Sequence, residues 1–245
     1  MSKDLFSGHA KGYARFRPVY PKALYDFIYQ FVGQFDTAWD CGTGNGQVAR
    51  VLASSFGKVH ASDISAQQLK NAVIAPNIHY HLGGVEQTGF GNSSIDLITI
   101  GQAIHWFDRE QFYKEVGRAG KTGAIIAAFG YSPVRFTPLF NEALDRFYFD
   151  VVYPYWDTER KIVEGQYKSI PFPFEEIKAP DFKIEVNWSL SDLHGYITTW
   201  SAVQNFIRKN GFSPVGKFME EVKPLWRKEV ESVYFPVFLR IGRIK

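Results

Sequence analysis

The chain has 245 residues, 45% of them hydrophobic and 17% aromatic; it is long enough to bury a sizeable core, and an α/β chain of this length is often one domain. Its formal net charge of +3 comes from 28 basic and 25 acidic residues scattered without runs of like charge, which argues against a nucleic-acid partner. A single cysteine, Cys41, rules out an internal disulfide; the start "MSKDLFSGHAK" lacks the apolar stretch of a signal peptide, and no apolar run is long enough to span a bilayer, so a cytoplasmic protein with no membrane partner and unspecified oligomeric state is expected.

In chain order, Leu24, Phe27, Ile28, Phe31 and Val32 recur at helical spacing behind Pro21, predicting a helix that opens the fold. Short apolar, β-branched runs then alternate with helical patterns. The strand-like "TAWDC" precedes a helix over about 45–56; "KVHASD" precedes a short helix from about Ala66; "IHYHLG" and "SIDLITIG" follow, then a helix from about Arg109 to Ala119 and the strand "GAIIAAFG". Five strands in this rhythm predict right-handed crossovers and a doubly wound, mostly parallel sheet.

From 131 to 180 the texture changes, with 12 aromatics and 6 of the 12 prolines between weakly helical pieces. This reads as an insertion, either a lid or a surface segment packed by its own aromatics. Sheet returns with "FKIEVNWSL", helices are expected from about Asp192 and from Ser213, and the chain closes with "SVYFPVFLRIGRI". Two terminal strands without a short βαβ crossover predict an antiparallel edge, making seven strands in all. The expected division is a single domain with a cofactor-binding half at 1–130, the insertion at 131–180 and C-terminal strands and helices at 181–245.

The glycine-rich stretch "DCGTGNG", from Asp40 to Gly46, falls at the turn from the first strand into the next helix. This is the place where open α/β sheets bind ligands. A P-loop would end in Gly-Lys-Ser/Thr, whereas this turn ends Gly46-Gln47-Val48. A dinucleotide fingerprint needs G-x-G-x-x-G, and the spacing here is G-x-G-x-G. Asp40, directly ahead of the glycines, would repel a pyrophosphate but attract an ammonium group. Asp63 ends the second strand 21 residues after Gly42, where a carboxylate can accept both ribose hydroxyls. A nucleoside with a cationic end, such as S-adenosylmethionine, satisfies both acids; NAD(P) satisfies only the second.

On these residues the chain resembles the class I S-adenosylmethionine-dependent methyltransferases, whose first motif reads D-x-G-x-G-x-G. The blocks "FSGHAKGYARFRPVYP", "IDLITIGQAIHWFD" and "TWSAV" look like the small-molecule branch that includes trans-aconitate methyltransferases. The resemblance implies a Rossmann-like fold and S-adenosylmethionine as cofactor. It also implies that Gly42 and Gly44 approach the methionine part beside Asp40, that Asp63 holds the ribose and that Ile64 packs on the adenine. Where the family usually has an acid, a small residue and a Glu, this chain reads Gly84-Val85-Glu86; the Val85 amide and Glu86 are left to meet the adenine. Gly101 and Gln102 would lie beside the methionine end, with Tyr13 and Arg17 folding over the cofactor.

Each acid has an alternative as a helix cap. Tyr13 and Arg17 have alternatives as struts. Cys41 reads as a small buried residue. His79 and His81 share a strand face, but a metal site would need a further ligand. Methyl transfer from a sulfonium requires alignment more than acid–base chemistry, and a carboxylate acceptor arrives ionised. His105 of "HWFD" is therefore expected to act either as a base toward a protonated acceptor or as a hydrogen-bonding positioner for a carboxylate; a packed histidine that ties down its loop is the alternative. Trp106 would face the sulfonium or wall the acceptor site. Trp200 and Ser201 are candidates for the acceptor pocket, and Arg135, Arg146 and Arg160 are the cations available in the insertion. The expected activity is methyl transfer to a small molecule, with a carboxylic acid as the candidate acceptor; a nucleotide-dependent oxidoreductase and a non-catalytic S-adenosylmethionine-binding module are the alternatives.

Overall fold

A computed structural model describes residues 18–245. Tyr13 and Arg17 lie outside the described residues. The opening helix α1 (Lys22–Tyr29) starts after Pro21, whose fixed φ suits a helix entry. It buries Leu24 and Ile28 of the predicted set together with Tyr25, and ends at Tyr29, before Phe31 and Val32. The alternation of strands and helices then runs β1 (Thr37–Cys41), α2 (Gln47–Ala53), β2 (Lys58–Asp63), α3 (Ala66–Lys70), β3 (Ile78–Leu82), β4 (Ile95–Gly101), a single helical turn at Ile104–Trp106, α4 (Arg109–Ala119) and β5 (Gly120–Tyr131). Helix α2 is shorter than the pattern suggested. Helix α4 falls where expected, because the Asp108 side chain caps it by accepting the Gln111 N–H.

The sheet runs β3-β2-β1-β4-β5, all parallel, and continues antiparallel through β8 (Val230–Arg243). The outer side of β8 is shared end to end by β6 (Glu175–Ile177) and β7 (Phe182–Ser189). The sheet therefore has seven positions and eight strands. The long pairing of β7 with β8 is the antiparallel edge that the two terminal strand patterns predicted. The extra strand, β6, is only three residues long and reads EEI; nothing in so short and polar a segment announces a strand.

Side chains alternate across this sheet with the period of two that pleated strands impose. Ala38, Val59, Ala61, Leu97, Ile125 and Phe129 join α1 and α2 on one face. Trp39, Cys41, Ile98, Ile100, Ile126 and Ala128 join Phe112, Val116 and Ala119 of α4 on the other. The segment between β5 and β6 belongs to both faces. Its helix α5 (Pro138–Arg146), the π-helical turn Phe147–Val152 and Trp156 pack with α7 (Leu190–Thr198), α8 (Ser201–Asn210) and α9 (Val215–Val222) on the first face. Past the short α6 (Thr158–Lys161), the residues Val163, Tyr167 and Ile170 belong to the second. Helix α8 is a separate helix that the pattern missed: only Ala202 and Val203 of its ten residues are buried. Among the described residues no helix is long and apolar enough to cross a membrane.

Candidate active site

The turn from β1 into α2 is built on left-handed backbone at Gly42 (φ 65°), Gly44 (φ 57°) and Gly46 (φ 81°), a region that side chains other than glycine enter only with strain. Two of the glycines have different reasons to be there. A Cβ on Gly42 would lie 2.6 Å from the Cβ of Ala103, with the Phe107 ring next, so this glycine allows the loop to pack on the segment that carries His105. A Cβ on Gly44 would meet only the Gln68 side chain, 4.0 Å away. Its outer side is open.

Asp40 is 1% exposed and lies under this loop. One oxygen accepts the Thr43 hydroxyl at 2.5 Å and the other accepts the Thr99 hydroxyl at 2.9 Å, with the Ala49 N–H in the first turn of α2 also favouring its charged form. Burial pushes its carboxyl up to about 7, against the lowering pull of those bonds. The N-cap of α2 is Gly46, with no side-chain cap bond; Asp40 instead ties the turn to β4 through Thr43 and Thr99. The carboxylate is closed beneath the loop and offers no open face to a ligand; its reach toward one is as a buried charge.

Asp63 is positioned by two backbone donors. Gly44 N–H bonds one oxygen and Ser65 N–H the other, both at 2.8 Å. Capping of α3 itself falls to Ser65, whose hydroxyl accepts the Gln68 N–H. A carboxylate has about four acceptor sites, so an oriented Asp63 keeps capacity for a pair of hydroxyls. Ile64 beside it is 44% exposed, an apolar side chain left facing solvent at the ligand end of the sheet. Leu82, in register with Asp63 on β3, is exposed too; the sequence reading did not single it out.

At the end of β3, Val85 is buried. A Cβ at Gly84 would collide with the Glu86 carboxylate, so Glu86 fills the space in front of the glycine that replaces the family's usual acid. Its other oxygen accepts the Asp108 N–H at 3.2 Å. Gly101 ends β4 where a Cβ would press on Val48 of α2 at 3.2 Å. Gln102 follows with φ 55°, held by its N–H to the Phe129 carbonyl and by its side-chain oxygen, which accepts the Tyr131 N–H. A non-glycine residue kept in the left-handed region at a strand end is the kind of strain that clusters at functional sites.

His105 is 3% exposed. Its Nδ1 lies 3.1 Å from the hydroxyl of Tyr167, a fully enclosed residue of the insertion with φ 61°. Burial pushes the Tyr167 phenol up, and the nearby Arg160 partly offsets this. A phenol so placed stays protonated and needs an acceptor. Among the described residues its only polar partner is His105 Nδ1, so the hydroxyl is placed to donate to that nitrogen, the arrangement that puts the ring proton on Nε2. The Trp106 ring stands 4.9 Å from the His105 ring. Trp200, at the N-cap of α8, is buried among Phe147, Tyr148, Trp156 and Tyr196; Ser201 opens that helix. The structure thus brings the glycine turn, Asp63 and the His105 segment together. Trp200 stands apart from them, in the aromatic cluster on the first face of the sheet.

Elsewhere, His81 Nε2 lies 2.9 Å from His60 Nδ1, and the His60 ring stacks on Phe90 at 4.4 Å. Among the described residues no three or more His, Cys, Asp or Glu side chains form a metal-holding group.

Residues 39–128 match the family model of a methyltransferase domain. A solved type II methyltransferase-family protein from Anaeromyxobacter dehalogenans is 35% identical, with 93% of this chain and 98% of that chain covered at a TM-score of 0.87. The chain belongs to the class I S-adenosylmethionine-dependent methyltransferases. A methyltransferase-family protein of Dictyostelium discoideum is 29% identical over 250 residues, spanning 98% of this chain and 95% of its own. A Saccharomyces cerevisiae protein described as an S-adenosylmethionine-dependent methyltransferase is 27% identical over 157 residues, 60% of this chain and 53% of its own. This methyltransferase therefore uses S-adenosylmethionine as its methyl donor, and the oxidoreductase alternative falls away. The residues fit that donor: the open side of Gly44, the oriented Asp63 and the exposed Ile64 form a cradle that a Cβ at 44 would begin to fill.

Proposed function

We propose that this methyltransferase acts on a small carboxylic acid, as the similarity of its N-terminal, "HWFD" and "TWSAV" blocks to trans-aconitate methyltransferases suggests. Asp63 takes the ribose hydroxyls, Ile64 and the Val85 amide border the adenine, and Glu86 stands in for the missing acid at 84. Gly42, Gly44, Gly101 and Gln102 bound the methionine end, above the charge of Asp40. Tyr13 and Arg17 are assigned to the cover of the cofactor from the family pattern alone.

When bound, S-adenosylmethionine supplies a methyl carbon already activated by its sulfonium. Toward a carboxylate acceptor, which is already ionised at neutral pH, the chain would need no base to remove a proton. The chain's residues then have to align the acceptor and exclude water, which can supply most of the acceleration in such a displacement.

The observation that carries this reading is the hydrogen bond from Tyr167 to His105 Nδ1. With the phenol donating to Nδ1, the ring proton belongs on Nε2, a form that donates there and does not accept a proton. A phenol or alcohol acceptor would want a base at this place; a carboxylate would want a donor. His105 is accordingly assigned as the positioner of the acceptor, with Trp106 beside it, and Trp200 and Ser201 are assigned to the acceptor pocket from the family layout alone. The test is a screen with methyl-labelled cofactor over small di- and tricarboxylic acids, phenols and amines. Label appearing in base-labile methyl esters supports the proposal; turnover of phenols or amines with carboxylic acids inert overturns it.

A further inference from the structure

The insertion contains three arginines that the sequence offers as anion clamps, and the structure separates them. Arg135 is paired with Asp145 at 2.7 Å, and Arg146 with Glu221 at 2.5 Å. Arg160 has no ion-pair partner among the described residues. Its guanidinium instead lies over the ring of Trp156, 4.9 Å from the centroid, an arrangement that holds the cation without neutralising it.

The usual partner for Arg160 would be the acid one helical turn on. That position holds Glu164, past the end of α6, and its carboxylate accepts the Tyr148 hydroxyl at 2.8 Å. The cation therefore stays available while that acid is engaged elsewhere. It is only half-exposed, and its charge reaches two buried phenols, Tyr148 and Tyr167. Tyr167 is the residue bonded to His105, and α6, which carries Arg160, packs against the short helix that carries His105. Trp156 adds a second feature. Its indole N–H is buried and has no acceptor among the described residues, and a buried donor normally has one.

We infer that Arg160, supported by Trp156, is the anion-recognition residue of the acceptor site and takes a carboxylate of a planar or apolar organic acid. The guanidinium supplies paired donors to that carboxylate. The rings of Trp156, Tyr148 and Trp200, mutually 5.6 to 5.8 Å apart, border the acceptor's apolar body. This inference rests on the reading of the site as one for a carboxylic acid, and it names the residue that reads the acid.

The test is calorimetric binding of cinnamate and of its neutral amide to the enzyme saturated with S-adenosylhomocysteine. Wild type should bind the acid about 10-fold or more tighter than the amide. Arg160→Gln should weaken the acid by a similar factor and leave the amide within about twofold, and Arg160→Lys should restore part of the loss. S-adenosylhomocysteine affinity should be the same in all three proteins. Equal acid binding in wild type and Arg160→Gln, or parallel loss of acid and amide, would overturn the inference. If binding behaves as expected but no carboxylic acid is methylated, the anion site stands and the proposed reaction fails.

Discussion

Placing a cationic ligand above Asp40 has a measurable consequence in protons. Its carboxyl is raised from 3.8 to about 7, chiefly by burial. At pH 6.5 a group of that pKa is about three-quarters protonated, and an adjacent cation lowers a carboxyl by roughly 1 to 3 units. If the ammonium of S-adenosylmethionine brings it to about 5, binding at pH 6.5 releases about 0.7 proton, and apparent affinity falls about 20-fold between pH 7.5 and 5.5. Calorimetry in two buffers of different ionisation enthalpy counts the protons directly. Asp40→Asn should release none and bind with little pH dependence over that range. The same shift acts on stability with a definite sign. A raised folded-state pKa means the stabilisation is fully present below 3.8 and is lost as pH rises through about 7. The apo wild type should therefore lose stability relative to Asp40→Asn across that window, by at most about 4 kcal/mol for about three units. Proton release below about 0.2 per ligand at pH 6.5, or the same release from Asp40→Asn, would show that Asp40 braces the turn through Thr43 and Thr99 and does no more.

Three further outcomes follow from the loop and the histidine. Asp63→Ala should weaken S-adenosylmethionine by roughly 1.5 to 3 kcal/mol in calorimetry, since charge-assisted bonds to the ribose are lost; unchanged affinity would remove Asp63 from the site. Gly44→Ala should fold with a loss of about 1 to 2 kcal/mol from left-handed strain, whereas Gly42→Ala, which also drives a Cβ into Ala103, should lose more in chemical denaturation. Tyr167→Phe should leave S-adenosylhomocysteine binding intact and shift the ¹⁵N NMR signature of His105 from the Nε2–H form to a mixture of tautomers, with kcat lower by about 5- to 10-fold for loss of one hydrogen bond. An unchanged His105 spectrum would mean that the phenol does not set the tautomer.

The sequence made visible what depends on local rules. The β1 turn is legible because three glycines, an acid ahead of them and an apolar helix face behind them all report on neighbouring backbone. The five parallel strands and α4 follow from periodicity and a cap in the same way. What was hidden depends on tertiary placement. Arg135, Arg146 and Arg160 look alike in one dimension; only the acids brought from elsewhere in the fold, Asp145 and Glu221, and the diversion of Glu164 to Tyr148 separate them. Tyr167 lies 62 residues from His105, and nothing in its neighbours marks it. Helix α8 was missed because its polar residues Gln204, Asn205, Arg208, Lys209 and Asn210 leave a buried stripe of only two positions. Asp40 was found, but its closure beneath Thr43 and Thr99 needed the pairing of β1 with β4.

The central claim, methyl transfer from S-adenosylmethionine to an acid that arrives ionised, is tested most directly by following the labelled methyl group itself. Incubated with labelled cofactor and a panel of small carboxylic acids, the enzyme should place label in products that release methanol on mild alkaline treatment, with S-adenosylhomocysteine formed in equal amount. Label recovered only in alkali-stable ethers or amines would contradict the account.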